Sequence, residues 1–311
     1  MTTKSSQLWA DITASLFSQI DDEFLSTFRA PGGANRRLAA WDPFDKSMRY
    51  YKFLLFNIAR RKPREFFDAY RRVGNTGTGS PVTVAVADCQ VDIDYLFAVE
   101  EFLFLRDHLD LSAVSKIVEV GAGFGRTCHA ILSLADSIRE YTIVDLPEVL
   151  KLSQAYLRRA APDRFDRVRF IANDDVAAWR GVRSDLVINI DSFQEMPPDV
   201  IDEYMDGIVS GASAFYCKNP IGKYEPQCVG LPELSADQLL DVYSLGYSRT
   251  ILDLFDERDL AAARDTYLSA YRPKAGANWQ LVADEPMNMF PYVHHALYAV
   301  RHSRSSSNAT T

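Results

Sequence analysis

The sequence predicts an α/β protein, a doubly wound parallel sheet preceded by a mainly helical N-terminal region. Three observations predict it. From Lys116 onward, short runs rich in Ile, Val, Phe and Tyr alternate with amphipathic stretches, the rhythm of strands joined by crossover helices. The first run, Lys116-Ile117-Val118-Glu119-Val120, opens into Gly121-Ala122-Gly123-Phe124-Gly125, where residues without a Cβ let a buried strand turn sharply into a helix. Before Lys116, apolar residues recur at helical spacing instead.

In the N-terminal region Leu8, Ile12, Leu16, Ile20 and Phe24 fall four apart, and Trp9, Phe17, Leu25 and Phe28 widen their stripe. That spacing predicts one helix over 5–29, stopped by Pro31-Gly32-Gly33. Met48, Tyr51, Leu55 and Ile58 predict a second helix over 45–61. Pro63 suits the first turn of a third, which ends near Gly74. Residues 75–81 (Asn-Thr-Gly-Thr-Gly-Ser-Pro) read as a connection, and a helix over 94–109 takes Asp94 as its N-cap. Residues 1–112 thus form a helical lid or dimerisation region, and its excess of aromatic surface predicts a homodimer.

The sheet domain is read over 113–301. A helix over 124–134 follows the glycine turn. Strands are expected at 141–144, 168–171, 186–190 and 213–217, with helices at 147–159 and 199–209 between them. Ser235 caps a helix to about residue 245, and 257–271 is amphipathic. Residues 279–283 and 296–300 form an antiparallel closing pair, and 302–311 is a Ser-rich flexible tail.

Composition narrows the partners. The 311 residues carry a net charge of −8, a poor field for nucleic acid or anionic membrane. The basic runs Arg60-Arg61-Lys62 and Arg71-Arg72 read as solvated helix faces. No apolar run reaches the length of a membrane span, and 1–6 lack the apolar core of a signal peptide. Cys89, Cys128, Cys217 and Cys228 are scattered, as reduced thiols of a cytoplasmic protein are.

In an open α/β sheet, ligands bind beyond the carboxyl ends of the strands. Polar residues stand at four successive ends: Glu119, Asp145, Asn173 with Asp174, and Asp191. Capping explains one such acid but not the whole series. Asp145, with Leu146 after it, and Asp174 close the second and third of these strands, where a ligand beyond the sheet would meet them. The turn is G-x-G-x-G, and Arg126 stands where a dinucleotide fingerprint needs its third glycine. A bulky side chain there disfavours a pyrophosphate cradle, and with it an NAD(P)-dependent oxidoreductase.

Residues 113–300 resemble the class I S-adenosylmethionine-dependent methyltransferases, which implies a Rossmann-like methyltransferase sheet. Glu119, Gly121, Gly123 and Gly125 match that family's glycine motif, Asp145 its ribose acid and Asp174 its adenine-side acid. More narrowly, I-V-E-V-G-A-G-F-G-R, Y-T-I-V-D-L-P-E-V, F-Q-E-M-P and the earlier D-I-D-Y at 92–95 resemble the sugar O-methyltransferases of bacterial secondary metabolism. The resemblance implies S-adenosyl-L-methionine as cofactor, S-adenosyl-L-homocysteine as product, and a small hydroxylated acceptor, a sugar or glycosylated metabolite. The alternatives are a non-sugar oxygen or nitrogen acceptor, and a non-catalytic binding protein on the same fold, which the intact motifs disfavour.

Methyl transfer needs an acceptor aligned with a sulfonium methyl and a base to take the hydroxyl proton. The candidate catalytic residues are Asp191, Glu195, His294 and His295. A histidine titrates nearest neutrality, so His295 or His294 is expected as base, with Asp191 or Glu195 orienting it or acting directly. Asp191 also counts among the cofactor-binding residues. His108 and His129 lie within helices and read as structural. Asp191, Glu195 and Asp199 would offer oxygens to Mg²⁺, but their spacing matches no metal motif and no metal site is assigned.

Overall fold

A computed structural model describes residues 7–16, 20–30, 33–34, 48–229, 231–232, 234–274 and 279–300. The expected tail at 302–311 lies outside them, as do Phe17 and Asp45.

The single helix expected over 5–29 is instead two, α1 (Gln7–Leu16) and α2 (Asp22–Thr27). Asp21 is extended and its carboxylate accepts the Phe24 N–H, so it starts a new helix where an unbroken one would need a helical residue. α3 (Met48–Ala59) leaves Tyr50, Phe53, Leu54 and Phe56 exposed. α4 (Arg64–Val73) follows Pro63 and stops at Gly74, whose φ of +67° few other residues adopt. A small hairpin, β1 (Val84–Val86) and β2 (Cys89–Val91), turns through Ala87 and Asp88 at positive φ. Three-residue strands with no glycine in the turn leave little sequence signal.

α5 (Ile93–His108) is capped by Asp92, not by Asp94. Asp94 instead lies inside the first turn and binds the buried Arg29, Nε to Oδ2 at 3.2 Å. Arg29 also binds Asp92 at 2.6 Å and donates to the carbonyls of Thr76 and Thr78, which ties the end of α2 into the body of the protein.

The remaining elements alternate: β3 (Lys116–Val120), α6 (Arg126–Leu134), β4 (Glu140–Asp145), α7 (Pro147–Ala160), β5 (Val168–Ala172), α8 (Val176–Arg180), β6 (Ser184–Ile190), α9 (Pro198–Gly211) and β7 (Ala212–Pro220). Then come α10 (Ala236–Ser244), α11 (Glu257–Ala270), β8 (Trp279–Pro286) and β9 (Val293–Val300). Ser235 caps α10 through a reciprocal bond with Gln238. The strands form one sheet in the order β5-β4-β3-β6-β7-β9-β8. β3 to β7 are parallel, and β9 runs antiparallel between β7 and β8. This is a Rossmann-like, doubly wound α/β fold with a mainly helical N-terminal region.

Side chains alternate across each strand, so the sheet builds two cores. Ile117, Ile143, Ile188 and Tyr216 pack with α4, α5, α6 and the N-terminal segment. Val118, Val144, Val187 and Phe215 pack on the other face with α9 and α11. Among the described residues no helix is long and apolar enough to cross a membrane.

Candidate functional site

β3 pairs with β4 on one side and β6 on the other, so the winding reverses between β3 and β6. A crevice opens beyond the carboxyl ends of strands at such a switch point. One lip is the glycine turn, with Gly121, Gly123 and Gly125 all at positive φ. Gly121 has a further reason to lack a side chain: a Cβ would stand 2.2 Å from Oγ of Ser192, in the loop after β6. Ser192 donates to the Val120 carbonyl at 3.1 Å and accepts from Asn189 at 2.6 Å. Asn189 also donates to Val120 and accepts from Asn219. The two loops are therefore locked together below the crevice.

Asp145 ends β4 at the rim. Its Oδ2 accepts the Gly123 N–H at 2.9 Å and its Oδ1 the Leu146 N–H at 2.8 Å. Each oxygen keeps a lone pair for a ligand hydroxyl. Burial pushes this carboxyl up to about 7, against the pull of the Leu146 and Gly123 amides. Asn173 follows β5, its N–H on the Asp145 carbonyl, and Asp174 beyond it is exposed.

Glu119 lies deeper than the rim residues. It is buried, accepts the Tyr141 hydroxyl at 2.8 Å, and is pushed by burial up to about 8. A carboxyl whose folded pKa is raised favours the fold most below its unfolded pKa, and that contribution falls as pH rises through the folded value. Glu119→Gln keeps the acceptor for Tyr141 and removes the titration. The expected result is a variant whose thermal stability gains on the natural chain between about pH 4.5 and 8 and no further above. Parallel melting curves across that range check it.

The other lip is the 191–195 loop. Asp191 adopts φ +60°, a conformation a non-glycine residue holds only when its surroundings impose it. Its N–H donates to the Lys218 carbonyl at 2.8 Å, while its buried Oδ1 has no hydrogen-bond partner. Burial raises its pKa, and the nearby Lys218 and Arg126 oppose the rise. Both cations are held by Glu101 on α5, which is fully buried: Lys218 Nζ at 2.5 Å, and Arg126 by two bonds at 3.0 and 3.1 Å. Burial alone would push the Glu101 carboxyl up, but the two cations hold it below its ordinary value. Arg126 thus leaves the glycine turn to complete an ion cluster behind Asp191.

Glu195 closes a single 3-10 turn, Phe193–Glu195. Its Oε2 accepts the indole N–H of Trp9, from α1, at 2.5 Å. Burial pushes Glu195 up to about 7, with Trp9 and Lys223 opposing and Asp191 adding. Lys223 donates to the Gln194 carbonyl at 3.1 Å, and burial lowers it to about 8.

His294 and His295 stand on β9, paired with Asn219 and Lys218. Their rings are buried. Nδ1 of His295 meets the Tyr216 hydroxyl at 2.7 Å, and the ring lies against Phe104. Nδ1 of His294 is 3.9 Å from Asp284 and makes no hydrogen bond. Burial lowers His294 to about 4 and His295 to about 3. Among the described residues no hydrogen bond or ion pair joins either histidine to Asp191 or Glu195. Nor is any group of three His, Cys, Asp or Glu side chains gathered to hold a metal ion there.

Reading the sequence alone misses Glu101, Lys218, Ser192, Trp9 and Lys223, and reads Arg126 only as a missing glycine. Two carried a usable signal. Glu101 interrupts the apolar run Tyr95–Leu105, and Lys218 follows Phe215-Tyr216-Cys217 in a central strand. A charge in either place needs a partner.

No family model matches the chain, and no curated protein matches it. Among solved structures the chain is similar to the mitomycin 7-O-methyltransferase MmcR, at 15% identity and a TM-score of 0.41, over 66% of this chain and 57% of that one. It is also similar to PigF, solved with SAH, at 14% identity and a TM-score of 0.41, over 82% and 68%. An O-methyltransferase family protein from Burkholderia thailandensis is similar at 14% identity and a TM-score of 0.42, over 83% and 70%. Likeness of this size fixes no activity, which must be argued from the crevice itself.

Proposed function

We propose that the chain is an S-adenosylmethionine-dependent O-methyltransferase acting on a hydroxyl of a sugar or glycosylated small molecule. The observation that carries the reading is the unpartnered, buried carboxylate oxygen of Asp191, held at positive φ opposite a glycine turn whose rim carries Asp145. A preformed, uncompensated acceptor beside a backbone cradle is what a cationic amino-acid ligand with a ribose would satisfy. Asp145 would accept the ribose hydroxyls, the backbone of Gly121 to Gly125 and Leu146 would pass close beside the ligand, and Asn173 and Asp174 would face the adenine. Asp191 would take the ligand's positive charge.

When bound, S-adenosylmethionine supplies a sulfonium methyl open to displacement. The residues of the second lip provide the rest. Glu195 would take the proton of the acceptor hydroxyl as that oxygen accepts the methyl group, with a methyl ether and S-adenosylhomocysteine as the products. A carboxyl near 7 suits this task, because it is basic enough to accept the proton yet about half ionised at neutral pH. The histidines, lowered to about 3 and 4, are far weaker bases. The sugar is favoured by the narrower sequence resemblance and by a lip that offers an indole, a carboxylate and an ammonium, groups suited to a polyhydroxylated ring.

Calorimetric titration with S-adenosylhomocysteine and with NADH tests the reading. Saturable binding of the first and none of the second is expected. Tight NADH binding without a response to S-adenosylhomocysteine would contradict it.

A further inference from the structure

Trp9 stands on α1, 186 positions before Glu195, yet its indole N–H ends on that carboxylate. α1 packs against α7, the helix that follows Asp145 and Leu146. The N-terminal helix therefore spans from the cofactor side of the crevice to the 191–195 loop. The contact uses Oε2 of Glu195, and Oε1 makes no hydrogen bond among the described residues. An indole N–H donates and cannot accept, and it carries no charge. It can therefore fix the plane of a carboxylate without locking it into an ion pair.

We infer that Trp9 is a positioning residue for the reaction proposed above: its N–H holds Oε2 of Glu195 and leaves Oε1 to take the proton of the acceptor hydroxyl. The inference rests on the methyltransferase reading for its catalytic part and on the contact itself for its structural part. The groups that face Glu195 are Trp9 from α1, Asp191 from its own loop, Lys223 from the segment after β7 and Asp145 from the end of β4. Of these, Trp9 alone donates a hydrogen bond to it among the described residues, and that bond favours the ionised form.

Trp9→Phe keeps an aromatic ring and deletes the donor. The expected result is a roughly tenfold lower kcat, from loss of one charge-assisted hydrogen bond. The rising limb of the pH–rate profile should move upward by about one unit. Affinity for S-adenosylhomocysteine and the melting temperature should stay as they were. In a Glu195→Gln background the same change should have no further effect on turnover. A readout independent of activity is the indole ¹⁵N–¹H resonance of Trp9, which should titrate near 7 in the natural chain and not in Glu195→Gln. An unmoved pH profile in Trp9→Phe, an equal loss in both backgrounds, or an indole resonance indifferent to Glu195→Gln would overturn the inference. If the resonance titrates while S-adenosylhomocysteine fails to bind, the pairing stands and the methyltransferase reading falls with the catalytic role drawn from it.

Discussion

Asp145→Ala is expected to weaken binding of S-adenosylhomocysteine by more than a hundredfold. Two losses combine. The carboxylate supplies charge-assisted acceptors for ribose hydroxyls, each worth about 1.5–3 kcal/mol. It also holds the N–H groups of Gly123 and Leu146, so its removal frees the turn that must pass close to the ligand. A total of about 3 kcal/mol already exceeds two orders of magnitude in Kd. The rim position lets water replace the lost partners, so the melting temperature should change little. Asp145→Asn separates the two losses, since an amide keeps one acceptor but has no charge and can serve only one of the two backbone donors. It should fall between the natural chain and the alanine variant. Calorimetry on the three proteins checks the order.

Glu195→Gln is expected to lower turnover by about a hundredfold or more while leaving S-adenosylhomocysteine affinity nearly unchanged. The amide oxygen can still accept the Trp9 N–H, so the loop keeps its anchor, but no base remains for the hydroxyl. In the natural chain the rate should rise with pH through about 7, because only the ionised carboxyl accepts a proton. That limb should vanish in the variant. Steady-state rates across pH 5 to 9 on a glycoside acceptor with a free hydroxyl decide it, and near-natural turnover would leave catalysis to alignment alone.

The sheet was legible in the sequence because each of its signals is local. A buried parallel strand is a run of Ile and Val, and a crossover turn is marked by glycine or an acid, so Lys116–Val120 and the ends at Asp145 and Asp191 could be read without tertiary knowledge. The closing pair β8 and β9 was legible for the same reason, from alternation around Trp279 and Ala296. The N-terminal break was not. The apolar period runs straight through Ile20 and Phe24, and only the side chain of Asp21, bonded to Phe24, shows that the helix restarts. Asp92 and Asp94 are two residues apart and both suit a cap, and the choice between them depends on Arg29, far away in sequence.

The site divides the same way. One lip is one strand, one turn and the next strand's end, all within 116–146. The opposite lip is assembled from α1, α5, the 191–195 loop and the segment after β7. No spacing rule connects Trp9 to Glu195 or Glu101 to Lys218. Pattern reading therefore finds the carboxylates but not the groups that tune them. It also favours histidine as base on its ordinary pKa, whereas burial in β9 lowers both rings and burial of Glu195 raises a carboxyl into the working range.

The account turns on what the crevice between β3 and β6 holds. A crystal structure of the chain with S-adenosylhomocysteine tests this most directly. The expected result is a ribose on the Asp145 carboxylate, an amino group on Oδ1 of Asp191, and the sulfur turned toward Glu195. Density for the ligand elsewhere on the protein, with Asp145 and Asp191 unoccupied, would contradict it.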